Sequence, residues 1–578
     1  MLRCLFSIIF VLFYSTFYGQ NEVLFLKIDT VKSNFLTSGN KVDSIDVILS
    51  EKHITLPGSF YNHPFGKFGI DYFHAIDNLY QQSRNNSTNS LLYTSLPHVG
   101  VAYSFGSVGL QYLTLNYQQV FRKNICLNVL YNRNVSTGSF RYSATSNDQF
   151  YVNVFENTGV FKQVYQLHYG NTARELNGGV LSDSIINQYG LSYASVRKQN
   201  ASDTVKSFNI ISEQLYRLVG DDTIGGGILL RNKFTLNRRV FHEIDTSLNT
   251  IYYNVDKADT TRDLSQFSRL ENAIGLYSRT NKSKIQLYLN RSYWMYRTDA
   301  LQYKTEYDAQ LTFNYKLKKI DVKYNQYQNI VGANQQGFQS LTVTKKNFNL
   351  INELYIHNSY LLPTPMQRLY FSNTIDWQIN KLGLQKNLLL EYSLSLKSTI
   401  PISLRLGYTI RKDNYYLIND KWRNDTLKNI NQFFLDVATN IKLRNFYFTP
   451  RIIFNSLSGI SSIIPKYDFR ARIYWKKTFE KKNNVTFMAG IDANYKSAYN
   501  LLYFDSRISL YTLSNFTQFN YSTTTLDAFL ALTINEIRFY FKYENINYSF
   551  TDKTNLIALN YPITPRILRI GLTWDFFN

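Results

Sequence analysis

Ile402-Ser403-Leu404-Arg405-Leu406-Gly407-Tyr408-Thr409-Ile410-Arg411 alternates apolar and polar residues without a break. Successive side chains of an extended strand point to opposite faces, so this stretch makes a ribbon with one greasy side and one polar side. The pattern recurs in Val485–Asp492, Leu526–Asn535 and Ile537–Glu544. Many such ribbons run for about 9–11 residues, the length a tilted transmembrane strand needs, whereas strands of soluble sheets are commonly about 5–6. Helical periodicity is scarce, and no later segment approaches the 18 or so consecutive apolar residues of a membrane-spanning helix.

The connections are unequal. Arg122-Lys123-Asn124, Lys316-Leu317-Lys318-Lys319, Lys442-Leu443-Arg444-Asn445 and Glu480-Lys481-Lys482-Asn483 read as short, Lys- and Asn-rich turns, while 171–206, 240–266, 329–346 and 412–431 read as long polar loops. Short turns at one end and long loops at the other are the arrangement of an outer-membrane barrel. Ser398-Thr399-Ile400-Pro401 reads as an exception, a short link among the outer loops. In hydrocarbon every backbone N–H and C=O must be paired, so a spanning sheet has to close on itself. The expected fold is therefore all-β: a closed antiparallel transmembrane β-barrel over residues 96–578, of about 24 strands within a range of 22–26. Trp294, Trp377, Trp475 and Trp574 are candidates for its interfacial girdles. A soluble exported β-rich binding protein is the competing reading, and it calls for shorter strands.

Composition agrees. The chain of 578 residues carries 63 Lys+Arg against 41 Asp+Glu, a net charge of +22, with 47 Tyr and 41 Phe. Charged residues are only 18%, and two cysteines cannot staple a chain of this size, so disordered and disulfide-scaffold classes fall away. Residues 1–19, with Arg3 ahead of an apolar run from Cys4 to Phe13 and Gly19 at the end, read as a signal peptide, against the alternative of a buried N-terminal element. Cleavage leaves Cys126 as the single cysteine, and export removes nucleic acid as a partner. Residues 20–95 alternate poorly. They read either as a periplasmic or lumen-lying segment that narrows the pore or as a loosely ordered leader.

The chain ends in a strand with Leu568, Ile570, Leu572, Trp574 and Phe576 on one face and Arg569, Gly571, Thr573 and Asp575 on the other. This looks like the C-terminal signal read by the outer-membrane barrel assembly machinery, although Asn578 is the final residue. The sequence also resembles the "putative porin" family of outer-membrane β-barrels. The similar stretches are Leu96-Pro97-His98-Val99-Gly100-Val101-Ala102-Tyr103 with Gly106-Ser107, then Asn124-Ile125-Cys126-Leu127-Asn128-Val129, Leu176-Asn177-Gly178-Gly179-Val180 and Trp574-Asp575-Phe576-Phe577. The resemblance implies a large barrel in a Gram-negative outer membrane with passive transport, and it transfers no site residue.

No chemistry-bearing motif stands out. The seven histidines lack metal-ligand spacing, Gly225-Gly226-Gly227 reads as a hairpin turn or bulge, and no nucleophile elbow or rim Ser–His signature is visible. Neither an enzyme nor a cofactor or metal is expected. The polar faces carry Arg405, Arg411, Arg470, Arg472, Lys476, Arg538, Lys542 and Arg569, the candidate pore-lining residues. A basic wall favours anions, unless these charges pair with acids across strands. Basic residues outside the lumen suit lipid phosphates, including those of lipopolysaccharide. The expected function is an outer-membrane porin for passive diffusion of small hydrophilic solutes, with a weak anion preference. The alternative is a non-conducting structural or secretion-associated barrel with an occluded lumen.

Overall fold

A computed structural model describes residues 97–577 apart from stretches within turns and loops, of which 182–192, 245–259, 513–519 and 549–555 are the longest; it also describes Asp29–Thr30 and Leu92–Tyr93. The expected signal peptide, nearly all of 20–95, and the turn residues Arg122, Lys123 and Glu480–Asn483 lie outside the described residues.

Twenty-two antiparallel strands, each paired with its neighbours in sequence, close into a barrel running from His98 to Phe577. Closure is made by the first and last strands, His98–Gly106 against Arg569–Phe577. The strand number lies at the lower end of the expected range. Several alternating pieces, such as Tyr415–Ile418 with Lys421–Asn424 and Tyr503–Asp505 with Leu510–Thr512, form small hairpins in loops instead of wall strands. One wall strand is interrupted: Ile430–Thr439 and Ile441–Leu443 both pair with Phe446–Ser458. The break falls opposite Pro450, which has no N–H to give the ladder.

The connections sort cleanly by end. From Phe121–Ile125 to Ile534–Ile537, every turn at one end is two to five residues long. The connections of 176–200, 362–384, 501–519 and 545–566 all lie at the other end. The link 397–401 belongs to the short-turn end and is no exception. The expected long loop at 329–346 is corrected: Ile320–Val331 and Gly337–Lys346 are wall strands joined through 332–336. The glycine run starts the Gly225–Ile244 strand beside a register shift between Arg217 and Val219, so it marks a bulge next to a tight turn.

The wall is uneven in height. Ala201–Gly220, Gly225–Ile244 and Thr260–Arg279 each have 20 residues, while Ile537–Glu544 has 8 and His98–Gly106 has 9. At about 3.3 Å per residue and a tilt of about 40°, 20 residues rise roughly 50 Å, twice the apolar band of about 25 Å. Eight residues rise only about 20 Å, slightly less than that band. The three long strands therefore stand well above the bilayer at the loop end.

Facing follows the sequence pattern. Phe539 and Phe541 are exposed on the outer surface, whereas Arg538, Tyr540, Lys542 and Glu544 are buried on the inner one. Inward glycines are covered by aromatic rings on the next strand: Phe434 lies over Gly407 and Tyr540 over Gly571. The tryptophans divide. Trp574 is exposed on the outer surface, but Trp294 and Trp377 are buried in the interior, so the girdle assignment is corrected for those two.

Candidate functional site

The described residues of 176–200, 362–384, 501–519 and 545–566 fold inward over the barrel mouth and pack on the inner face of the wall. The connection 362–384 contributes a helical turn, Pro365–Arg368, and a small hairpin, Leu369–Phe371 with Asp376–Gln378. Met366, Tyr370, Ile375 and Trp377 bury themselves against Trp294 and Tyr296 of the strand Ser283–Arg297, and Ile508 from another loop completes the cluster. The Trp377 indole N–H donates to the Met366 carbonyl at 2.9 Å, Tyr370 stacks on Trp377 at 4.9 Å, and the Arg368 guanidinium lies 5.1 Å from the Trp294 ring. Burial lowers the Arg368 pKa from its ordinary value, with Glu306 acting the other way.

The connection 501–519 reaches furthest. It leaves the wall between Val485–Asn500 and Asn520–Ile534, yet it contacts strands almost half-way round the 22-strand ring. There Asp203 accepts from Arg174 at 2.7 and 2.6 Å and from Arg239 at 2.9 Å. Arg239 also donates to the Arg507 carbonyl at 2.9 Å, the Ser506 carbonyl at 3.3 Å and Ser509 Oγ at 3.0 Å. Ser509 Oγ in turn donates to Asp203 at 2.8 Å. Asp203 is only 2% exposed. Two arginines on one buried carboxylate leave positive charge over, and the loop meets it with backbone carbonyls and a hydroxyl.

Two further ion pairs flank this point, Lys198 with Glu243 at 2.9 Å and Arg507 with Asp505 at 2.7 Å. Burial pushes the Lys198 ammonium pKa down, against the pull of Glu243. Burial alone would raise the Asp505 pKa, but Arg507 and then Lys198 outweigh it and hold the carboxyl below its ordinary 3.8.

The fourth loop locks the layer together. Leu559 of 545–566 donates its N–H to the Leu502 carbonyl at 2.9 Å, and Asn560 accepts from Val180 N–H at 2.8 Å. Gly179 has φ +88°, and a Cβ there would lie 2.6 Å from the Asn560 carbonyl oxygen. Only glycine suits that position. Leu176, Ala201, Phe241, Phe504, Ala558 and Tyr561 form the apolar side of the same junction. The cap is thus one connected layer drawn from four loops.

Along the wall, the eight candidate lining residues occupy inner faces, and most have partners. Arg405 meets Glu391 at 2.7 Å, Arg470 meets Asp468 at 2.6 Å, and Arg472 meets Asp492 at 2.6 Å. Lys542 lies between Asp527 at 3.5 Å and Glu544 at 3.8 Å, and Arg569 reaches Glu544 at 3.0 Å. Arg538 donates to Thr533 Oγ1 at 3.2 Å. Arg411 is buried and Lys476 half-buried. Charge compensation across strands, the reading that competes with a bare basic wall, describes Arg405, Arg472, Lys542 and Arg569, and Arg470 is compensated along its own strand. Sequence reasoning missed Arg174, Asp203, Arg239 and the Asp505–Ser509 segment. The run Asp505-Ser506-Arg507 was the available signal, but it gives no hint of a partner some 300 residues away.

A closed 22-strand wall with inward-folded loops defines a large barrel of the outer-membrane transport type. The sequence profile of the putative porin family matches residues 14–578, and the chain belongs to that family. No curated protein sequence matches the chain. Among solved structures it is similar to the siderophore receptor PirA from Acinetobacter baumannii, with a TM-score of 0.59 at 10% identity over 84% of this chain and 81% of that one. It is also similar to the copper transporter OprC, with a TM-score of 0.61 at 9% identity over 84% and 82%. The FrpB iron transporter from Neisseria meningitidis (F3-3 variant) gives 0.57 at 11% over 84% and 82%. At these identities the likeness is one of fold. The expectation of passive diffusion through an open lumen is corrected: the similar barrels are named as receptors and transporters of particular cargo, and loops lie across this mouth. Nor do these comparisons support a purely structural or secretion-associated barrel.

Proposed function

We propose that this protein is a ligand-specific transporter of the Gram-negative outer membrane, gated by its loop cap. The carrying observation is the reach of Arg239 to the Ser506–Ser509 segment across the mouth. A solute passing from the loop end must first displace that segment. The named cargo of similar barrels, a siderophore for one and iron or copper for others, supports a small chelate or metal complex as ligand. An anionic ligand suits the chemistry best, since it would compete with neutral carbonyls for the Arg174–Arg239 pair. Behind the cap, Arg405, Arg411, Arg470, Arg472, Lys476, Arg538, Lys542 and Arg569 line the route with their acidic partners. The reading involves no catalytic step.

The remaining partners follow from the location. Residues 1–19 direct export and are removed. The last strand, with Leu568, Ile570, Leu572, Trp574 and Phe576 toward lipid, is presented to the barrel assembly machinery and then seals the seam. The outer wall meets phospholipid and lipopolysaccharide. The test is uptake of labelled iron(III) chelates and copper by cells with and without the chain. Saturable uptake that Arg239→Gln alters is expected. Uptake rising linearly with concentration, or no difference across the panel, would overturn the proposal.

A further inference from the structure

The outer surface of the tall wall carries an arrangement that neither folding nor gating explains. Lys206 and Arg238 are direct cross-strand partners on the outward face. Both are exposed. Such partners have Cβ atoms about 5 Å apart, and like charges placed there repel. In the same hydrogen-bonded row Arg238 faces Gln266, which faces Arg297, and Arg262 stands two outward positions nearer the loops. Arg262 and Arg297 are also exposed. The alternation places Ser202, Thr204, Val240, His242, Leu264 and Met295 around them on the outward face. The nearest described outward acids belong to the strands on the far side of Lys206 and are engaged there: Asp148, two strands away in the same row, takes Arg133 at 3.5 Å and the Tyr131 hydroxyl at 2.8 Å, and Glu175, opposite Ser202, accepts from the Ala144 N–H at 2.9 Å.

Height and surroundings say what these bases meet. Lys206 stands 14 residues from Gly220, Arg238 13 from Gly225 and Arg297 14 from Ser283, each counted from the short-turn end of its strand. At about 2.5 Å of rise per tilted residue they lie roughly 35 Å above that end, past the apolar band of about 25 Å and at the height of the lipid headgroups. The next outward row toward the turns is the pair Phe208–Leu236, and the Phe208 ring lies 6.4 Å from that of Phe234. The bases therefore begin where the greasy surface stops.

We infer that Lys206, Arg238, Arg262 and Arg297 form a binding site for the phosphate groups of a membrane lipid in the leaflet on the loop side. Four positive charges, with the nearest acids held by Arg133 and by the Ala144 N–H, call for more than the single charge of a phosphodiester. A phosphomonoester carries about −1.5 to −2 at neutral pH, so a lipid bearing phosphomonoesters is the fitting partner. This rests on the outer-membrane location proposed above but not on ligand transport or gating, and it stands if those readings fail.

The test uses the full mature protein reconstituted in nanodiscs of phosphatidylcholine mixed with either lipid A, which carries two phosphomonoesters, or phosphatidylglycerol. Lipid retained after detergent exchange is counted by native mass spectrometry. Lipid A enriched at least fivefold over its bulk fraction is expected, with phosphatidylglycerol near bulk. Lys206→Gln combined with Arg238→Gln should bring lipid A to bulk, whereas Lys345→Gln with Lys477→Gln, on the outward face at the turn end, should leave it enriched. Heat-dependent gel mobility reports folding of each variant; should the Lys206/Arg238 double variant fail it, Arg297→Gln with Arg262→Gln replaces it. Equal retention of the two anionic lipids, no enrichment by the natural chain, or enrichment that survives the Gln variants would each overturn the assignment.

Discussion

The two sides of the barrel use the same residue types for different ends. The low side, built from Ile537–Glu544, Ile567–Phe577 and His98–Gly106, is about as tall as the apolar band. Its inner charges pair within the wall, as in Lys542–Asp527 and Arg569–Glu544. The tall side continues about 25 Å further, and its charges above the membrane take partners from loops that come from elsewhere in the ring. Strand length beyond what lipid requires has thus been turned into a platform. Neutralisation in the low wall keeps polar groups from destabilising the sheet; in the tall wall it fastens the cap.

The largest expected effect tests that platform. Asp203→Ala leaves Arg174 and Arg239 buried without their carboxylate, and losing one partner of a buried ion group typically costs about 3–5 kcal/mol. Urea unfolding should show the loss, and planar-bilayer recordings should show openings absent from the natural chain. An unchanged recording would mean the cap is not held from the tall wall. Next comes the lipid face of a shorter wall strand. Leu404→Arg should cost about 2–4 kcal/mol if the residue lies near the bilayer midplane. The same unfolding assay checks it, and tolerance there would contradict the facing.

A smaller loss is expected from Gly179→Ala. It places a side chain at φ +88° against Asn560, and strain of this kind is worth about 1–3 kcal/mol. The strain should appear at the cap alone, as altered emission from Trp294 and Trp377, while global unfolding of the wall stays near normal. The pH dependence is narrower. Asp505 has a folded pKa below its ordinary 3.8, so its contribution is complete above that value and is lost as pH falls through the folded one. Tryptophan emission followed from pH 5 to pH 2 should report the cap loosening, and Asp505→Asn should remove that transition. The least effect is expected in a partly exposed pair of two wall strands no longer than the membrane requires, Ile402–Lys412 and Gln385–Leu396: Arg405→Leu should change stability by about 1 kcal/mol or less. A loss as large as that of Asp203→Ala would erase the distinction between charges paired within the wall and charges that fasten the cap.

Much of the wall was legible in the sequence. The inward or outward facing of Ile402–Arg411, Ile537–Glu544 and Ile567–Phe577 follows from period-two alternation, because facing in a strand is a local property. Three of the four motifs behind the family resemblance sit at junctions, and Asn124–Val129 opens an ordinary wall strand. Val99–Gly106 and Trp574–Phe577 meet at the seam, and Gly178-Gly179 is where two cap loops dock. The cap itself was not legible. Its residues follow no periodicity, and Arg239 and Ser506 are brought together by ring closure across 267 residues of chain. Trp294 and Trp377 show the same limit, since an aromatic in a ribbon reads alike whether lipid or a folded-in loop covers it.

By itself the sequence determined that this chain forms long amphipathic ribbons which must close in lipid, because alternation and backbone pairing are imposed locally by strand geometry and by the absence of water in hydrocarbon. Only the tertiary structure decided that the mouth is covered and which charges hold the cover. Those contacts join strands and loops remote in sequence, and what a charge does there depends on burial and on partners that no short stretch of residues encodes.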